Sequence, residues 1–86
     1  MLNKCRPKYT VYEYKCWTGY NIDEISNFCN DRIGWRDKFE GSLILYDNRG
    51  LPFAQIINQN DYIIKFNEHE FKVLDSKTFN KDYEII

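Results

Sequence analysis

The sequence predicts an α+β domain in which one main helix packs on a largely antiparallel sheet of four to five strands, with a short C-terminal turn after the sheet. Three observations carry this reading. A capping pattern at Asn21 opens a run of apolar residues at helical spacing, and short β-branched and aromatic runs alternate with polar turn segments from Ser42 onward. Of the 86 residues, 43% are hydrophobic, enough to offset the chain entropy of one modest core. A helix laid on a sheet buries the apolar face of each.

The elements follow in order. Residues 1–7 are expected to be a loosely held end. Tyr9 to Trp17, bounded by Pro7 and Thr18-Gly19, reads as a strand with Tyr9, Val11, Glu13, Lys15 and Trp17 on one face and Thr10, Tyr12, Tyr14 and Cys16 on the other. Asn21 then caps a helix, and Glu24 is placed to reach back to it as in a capping box. Ile22, Ile25, Phe28, Cys29 and Ile33 form the apolar stripe, Asp23, Asn27, Asn30 and Asp31 the wet side, and Gly34 is the expected stop.

Trp35 to Glu40 reads as a polar connection that exposes Trp35 and folds Phe39 back on the core. Ser42–Tyr46 and Leu51–Asn58 are strands joined by the turn Asp47-Asn48-Arg49-Gly50, with Pro52 near a strand start or an edge. Asn58 to Asp61 turns the chain into Tyr62–Phe66, and Asn67-Glu68 turns it again into His69–Leu74. Asp75 or Ser76 caps a short turn carrying Phe79. The apolar tail Tyr83–Ile86 is expected to pair at a sheet edge or with a second subunit.

Charge excludes some partners. Twelve Lys and Arg against thirteen Asp and Glu give a net charge of −1, so no global field draws in nucleic acid or mimics it. Lys4, Arg6, Lys8 and Lys15 beside Tyr9, Tyr12 and Tyr14 make a small basic end able to touch phosphate and stack bases, which leaves direct nucleic-acid binding as a lesser expectation. Met1 to Tyr9 lacks the apolar run of a secretory leader and no segment has the length of a membrane span, so a cytoplasmic protein with no membrane partner is expected.

Catalytic motifs are not found. Cys5, Cys16 and Cys29 are odd in number and fit neither a disulfide framework nor a metal-binding spacing; Cys16 and Cys29 read as buried and Cys5 as an exposed thiol near the terminus. His69 is the one histidine, and its neighbours Glu68 and Glu70 fall on the opposite strand face. The glycines 19, 34, 41 and 50 form no phosphate-cradling loop. No metal site, cofactor or enzymatic activity is expected.

At Trp17-Thr18-Gly19-x-Asn21 and Asn60-Asp61-Tyr62-Ile63-Ile64-Lys65 the chain resembles a family of short bacteriophage and prophage proteins. Members of that family typically run from Gln-Trp-Thr-Gly through a short helix to Pro-Gly-Asp-Trp/Tyr-Ile-Val-Lys-Gly, then Gly-Glu-Phe-Tyr and a Phe-x-x-x-Tyr-Glu tail. Glu70-Phe71 stands here for the Glu-Phe, and Phe79 with Tyr83-Glu84 for the tail. Asn60 replaces the glycine before the aspartate, Asn67 stands near the glycine after the strand, and Leu74-Asp75-Ser76-Lys77 replaces Cys-Lys-Pro-Asp. Asparagine tolerates the left-handed backbone region, so both turns are expected to survive. The resemblance implies a phage protein expressed inside a bacterium, as a virion or replication accessory or an inhibitor of host defence.

Function is read from the aromatics, 17% of the chain. The leading expectation is a protein that binds a host protein or protein–nucleic acid complex, such as a CRISPR effector, and inhibits it by steric occlusion. Trp35 with Tyr12, Tyr14 or Tyr46 would be its anchors, because tyrosine and tryptophan are enriched at interface centres. Trp17 is assigned to stability. The alternative is a dimeric sponge for a small anionic or nucleotide ligand, with Arg6, Lys8 or Arg32 facing its charge and with an edge strand or the C-terminal tail pairing the subunits.

Overall fold

A computed structural model describes residues 3–6, 12–46, 54–68 and 70–85. Its elements are β1 (Asn3–Arg6), β2 (Tyr12–Cys16), α1 (Ile22–Phe28), β3 (Ile33–Asp37), β4 (Ser42–Leu45), β5 (Gln55–Ile57), β6 (Tyr62–Lys65), β7 (Phe71–Leu74), α2 (Ser76–Asp82) and β8 (Glu84–Ile85). The fold is α+β, with helices packed on an antiparallel five-stranded sheet of order β7-β6-β2-β1-β8. A second antiparallel sheet, of order β3-β4-β5, adds a layer that the sequence did not announce.

Successive residues of β6 point to opposite faces, and both faces are buried. Ile63 joins Trp17, Ile25, Phe28, Cys29, Leu43, Leu45, Ile57 and Phe71 in a core between the larger sheet, α1 and the smaller sheet. Ile64 joins Cys5, Tyr14 and Phe79 on the other face, flanked by Tyr12, Tyr62, Phe66, Leu74 and Tyr83. Phe79 stacks against Tyr62 (4.1 Å, 7°) and Tyr83 (5.6 Å, 10°), so the expected C-terminal turn is a two-turn helix that carries Phe79 onto this second face. Tyr12, Tyr14, Tyr62 and Tyr83 are thus largely core-building rings.

Three sequence expectations are corrected. The helix ends earlier than Gly34: Asn30 is left-handed at φ 57, Asn30 N–H bonds to Asn27 O and Asp31 N–H to Ser26 O at 2.8 Å, a Schellman closure in which asparagine takes the glycine role. Ile33 therefore lies in a strand, and Gly34 and Trp35 lie in that strand, not at a helix stop and in a loop. Phe39 is fully exposed and does not fold back on the core. Cys5 is buried, because Asn3–Arg6 of the supposedly loose end pairs with β2 on one side and with the tail strand β8 on the other.

The tail thus pairs at a sheet edge of its own chain. Asn60 has φ 73, in the left-handed region that asparagine tolerates. Residues 9–11, the turn 47–50, Leu51–Phe53, His69 and Ile86 lie outside the described residues.

Candidate functional site

At one end of both sheets three loops converge: 17–21 between β2 and α1, 38–41 between β3 and β4, and 58–61 between β5 and β6. Trp17 ties them together. Its N–H donates to Asp61 O (2.9 Å), its carbonyl accepts from Asn60 N–H (2.6 Å), and its buried indole Nε1–H donates to Gly41 O (2.7 Å). The Gln59 side chain fills the space between the first two loops' glycines. A Cβ at Gly19 would stand 3.0 Å from Gln59 Nε2 and one at Gly41 would overlap it, and both glycines have positive φ, 95 and 72.

Each loop is also braced from within. Asn21 Oδ1 accepts from Thr18 N–H and Oγ1–H, while its Nδ2–H donates to Cys16 O (2.9 Å) and Glu24 Oε1 (2.8 Å). The expected capping box does not form: Asn21 makes no side-chain hydrogen bond to a helix N–H and braces the preceding loop instead, while Glu24 accepts from the Asn21 side chain, a bond that holds its carboxyl below the ordinary value. Asp37 Oδ1 accepts from the N–H groups of Phe39 (2.9 Å) and Glu40 (3.2 Å). Asp61 Oδ2 accepts from Asn58 N–H (2.9 Å), and burial raises its carboxyl despite that bond.

This braced end displays rings to solvent. Tyr20, beside Gly19, is 95% exposed, and Phe39 on the Asp37-braced turn is fully exposed. Trp35, in the middle of β3, is 42% exposed; its ring meets Trp17 edge-on at 6.0 Å and Lys38 Nζ lies 5.9 Å from its centroid. Arg36 and Glu40 pair at 3.6 Å on the same hairpin. Full burial of a phenylalanine is worth roughly 1.5–3 kcal/mol, which the chain forgoes at Phe39.

The sequence-predicted anchors do not form one surface. Trp35 pairs with core-facing Leu43, whereas Gly34 pairs with Ile44, so Trp35 and Tyr46 lie on opposite faces of the smaller sheet. Tyr46 covers Gly34, where a Cβ would meet its ring at 3.3 Å. Tyr14 is buried against Tyr62 and Phe79, and Tyr12 packs edge-on against Phe66 at 4.7 Å. Arg32, whose carbonyl accepts from Tyr46 N–H, has its Nη1 buried with no hydrogen-bond partner among the described residues. Arg6 stands opposite Glu84 in the β1–β8 ladder, while its side chain and all of Lys8 lie outside the described residues.

Sequence reasoning passed over Tyr20 and Phe39. A signal for Phe39 existed: Asp37 opens a turn that Gly41 closes, so a ring between them has no strand or helix to carry it inward. Among the described residues no group of His, Cys, Asp and Glu is placed to hold a metal ion, and no helix is long and apolar enough to cross a membrane. No family model, curated protein or solved structure matches the chain.

Proposed function

We propose that this chain is a non-enzymatic binding protein that docks on a macromolecular partner through the three-loop end, with Phe39 and Tyr20 as projecting anchors and Trp35 as their partly buried neighbour. The observation that carries the reading is Phe39, a large apolar ring fully exposed on a turn whose backbone is held by Asp37. A ring carried on a held turn spares its partner the cost of ordering the backbone, and a few such residues supply most of an interface's energy. The phage resemblance supports a partner in the bacterial cytoplasm, a host protein or protein–nucleic acid complex. Occlusion of a defence effector is the concrete form of that proposal.

The test is a photo-crosslinking amino acid placed at position 39, at position 20 or at exposed Lys77 on α2, with the chain expressed in its bacterial host. One host protein trapped from positions 39 and 20 but not from 77 supports the reading. Equal trapping from all three, or none from 39, removes it.

A second reading, a sponge for a small anionic ligand, draws support from one atom. Arg32 Nη1 is buried without a hydrogen-bond partner among the described residues, a costly state that an anion would relieve. Native mass spectrometry of protein purified from the host decides it: a retained anionic ligand lost in Arg32→Met supports the sponge, and ligand-free protein opposes it.

A further inference from the structure

Away from the loop end, α1 and the strands β2 and β6 enclose a groove of about 430 Å³ lined by Glu13, Lys15, Glu24, Asn27, Phe28 and Lys65. It lies on the face of the larger sheet that carries odd-numbered residues of β2 and β6, where the β2–β6 register sets Glu13 opposite Lys65 and Lys15 opposite Ile63. The volume falls in the range of small-molecule sites.

The two ammonium groups in it are poorly bonded for their burial. The Lys15 side chain is 12% exposed, and its one hydrogen bond among the described residues is long, 3.5 Å to Glu24 Oε2. The Lys65 side chain is 17% exposed, and its ion partner, Glu68 Oε1, stands at 3.8 Å, beyond hydrogen-bond reach. Two rings also lie near it: Nζ is 5.6 Å from the Phe28 centroid and 5.9 Å from that of Phe71. An ammonium carries three donors, and charge-assisted hydrogen bonds are the strong ones, so a ligand oxyanion beside Lys65 gains bonds that the protein does not supply. Glu13 is the mirror case: a carboxylate on the groove wall with no ion pair or hydrogen bond among the described residues.

Charge balance then selects the ligand. The lining holds two lysines and two glutamates, and Glu68 stands just outside. A multiply charged anion such as a nucleotide would meet three carboxylates around the two lysines, and like charges in one groove repel. A ligand carrying one charge of each sign can pair with Lys65 and with Glu13 together. We infer that the groove binds a small zwitterion with one carboxylate and one ammonium, of the class of free α-amino acids, its carboxylate on Lys65 and Lys15 and its ammonium on Glu13. Asn27 offers an amide to either group, and the Phe28 ring borders the apolar part.

The test uses the isotope-labelled full chain in heteronuclear NMR, titrated separately with a pool of neutral α-amino acids, with acetate and with methylammonium. The expected result is saturable shifts at the amides of Glu13, Lys15, Asn27, Phe28 and Lys65 with the pool, at least about tenfold stronger than with either single ion. Lys65→Met, which keeps the apolar stem, and Glu13→Gln, which removes no bond within the protein, should each weaken binding about fivefold or more while the fold persists. Should Lys65→Met fail to fold, Glu13→Gln alone carries the reading. Equal shifts with acetate alone, binding unaltered in Glu13→Gln, or no shift at up to about 10 mM of the pool would each overturn the assignment. Because these residues lie off the loop end, either result leaves the docking proposal standing.

Discussion

The indole Nε1–H of Trp17 donates to the carbonyl of Gly41 across the core, 2.7 Å between two residues 24 apart in sequence. This bond joins the larger sheet to the β3–β4 hairpin at the one point where both need a fixed end. Trp17→Phe keeps a ring in the site but orphans a buried carbonyl, and that alone costs about 1–3 kcal/mol. The expected result is a fall in Tm of roughly 4–8 °C per kcal/mol for a domain of this size, measured by circular dichroism. Gly41→Ala should be as damaging, since φ 72 disfavours a Cβ and Gln59 occupies its place. Removing the obstacle with Gln59→Ala should recover only the steric part. Full recovery would mean that the backbone angle carries no strain.

Gln55 joins the two sheets where no ladder does. Its Nε2–H donates to Phe71 O (2.8 Å) and its Oε1 accepts from Val73 N–H (2.9 Å), so a side-chain amide replaces a backbone partner on the edge of β7. Gln55→Leu leaves both groups of β7 unpaired in a part-buried seam, at a cost of about 1–3 kcal/mol. Hydrogen exchange at Val73 reads the effect locally: its amide should exchange faster in the variant while that of Ile64, inside the β2–β6–β7 ladder, changes no more than global stability dictates. Unchanged exchange at Val73 would remove Gln55 from this role.

The turn-linked strands were legible in the sequence because their signals are local: Asn58 to Asp61, Asn67-Glu68 and the Asp75 cap each announce themselves within four residues. The helix end was not, because Asn30 and Asp31 close it in left-handed geometry that glycine adopts more readily, and Gly34 was the stronger local signal. Once the helix stops at Phe28, Ile33 to Asp37 is free to alternate as a strand, and the second sheet follows. Cys5 shows the other limit: its burial comes from pairing with Tyr12 and Ile85, a contact spanning the chain that no window of sequence contains. Trp35 was recognised as a surface ring, but its pairing partner decides which surface.

Asp75 gives α2 a pH-dependent cap. Its Oδ1 accepts from Thr78 N–H at 2.7 Å, and that bond holds the carboxyl below its ordinary value of 3.8. The folded protein thus favours the charged form. The part of the cap's contribution that depends on charge is complete above the ordinary value and is lost as pH falls through the lowered folded value. Asp75→Ala should lower Tm by several degrees at neutral pH, and Asp75→Asn, which still offers an oxygen, should stay near wild type. Below the ordinary value the difference between Asp75→Ala and wild type should shrink. Asp61, raised by burial, slopes the opposite way, so the comparison is made between variants at each pH.

Cysteine reactivity reports on the N-terminal strand. Burial pushes the Cys5 thiol up to about 11 and the Cys29 thiol up to about 12, so neither presents a thiolate near neutral pH. An aromatic disulfide reagent at pH 8 should label all three cysteines in denaturant but reach Cys5 and Cys29 in the folded protein only through opening. Rapid labelling of Cys5 in native buffer would mean that β1 leaves the sheet readily and that the second core holds without it.

Trp35, Phe39 and Tyr20 separate stability from binding. Phe39 and Tyr20 make almost no contact with the core, so Phe39→Ser and Tyr20→Ser should each change stability by less than about 0.5 kcal/mol, the usual range for surface substitutions. Trp35 is different, because its ring packs edge-on against Trp17 at 6.0 Å and an aromatic pair of that kind is worth about 0.5–1.5 kcal/mol beyond its buried area. Trp35→Ala should therefore lower Tm, and it should do so less in a Trp17→Phe background, where the partner ring is already altered. Measured together with the crosslinking yield at position 39, the three variants sort the end's residues: loss of partner with unchanged Tm marks an anchor, and loss of both marks a support. If Phe39→Ser destabilised the fold as much as Trp35→Ala, the ring would belong to the core in solution and the docking reading would lose the observation it stands on.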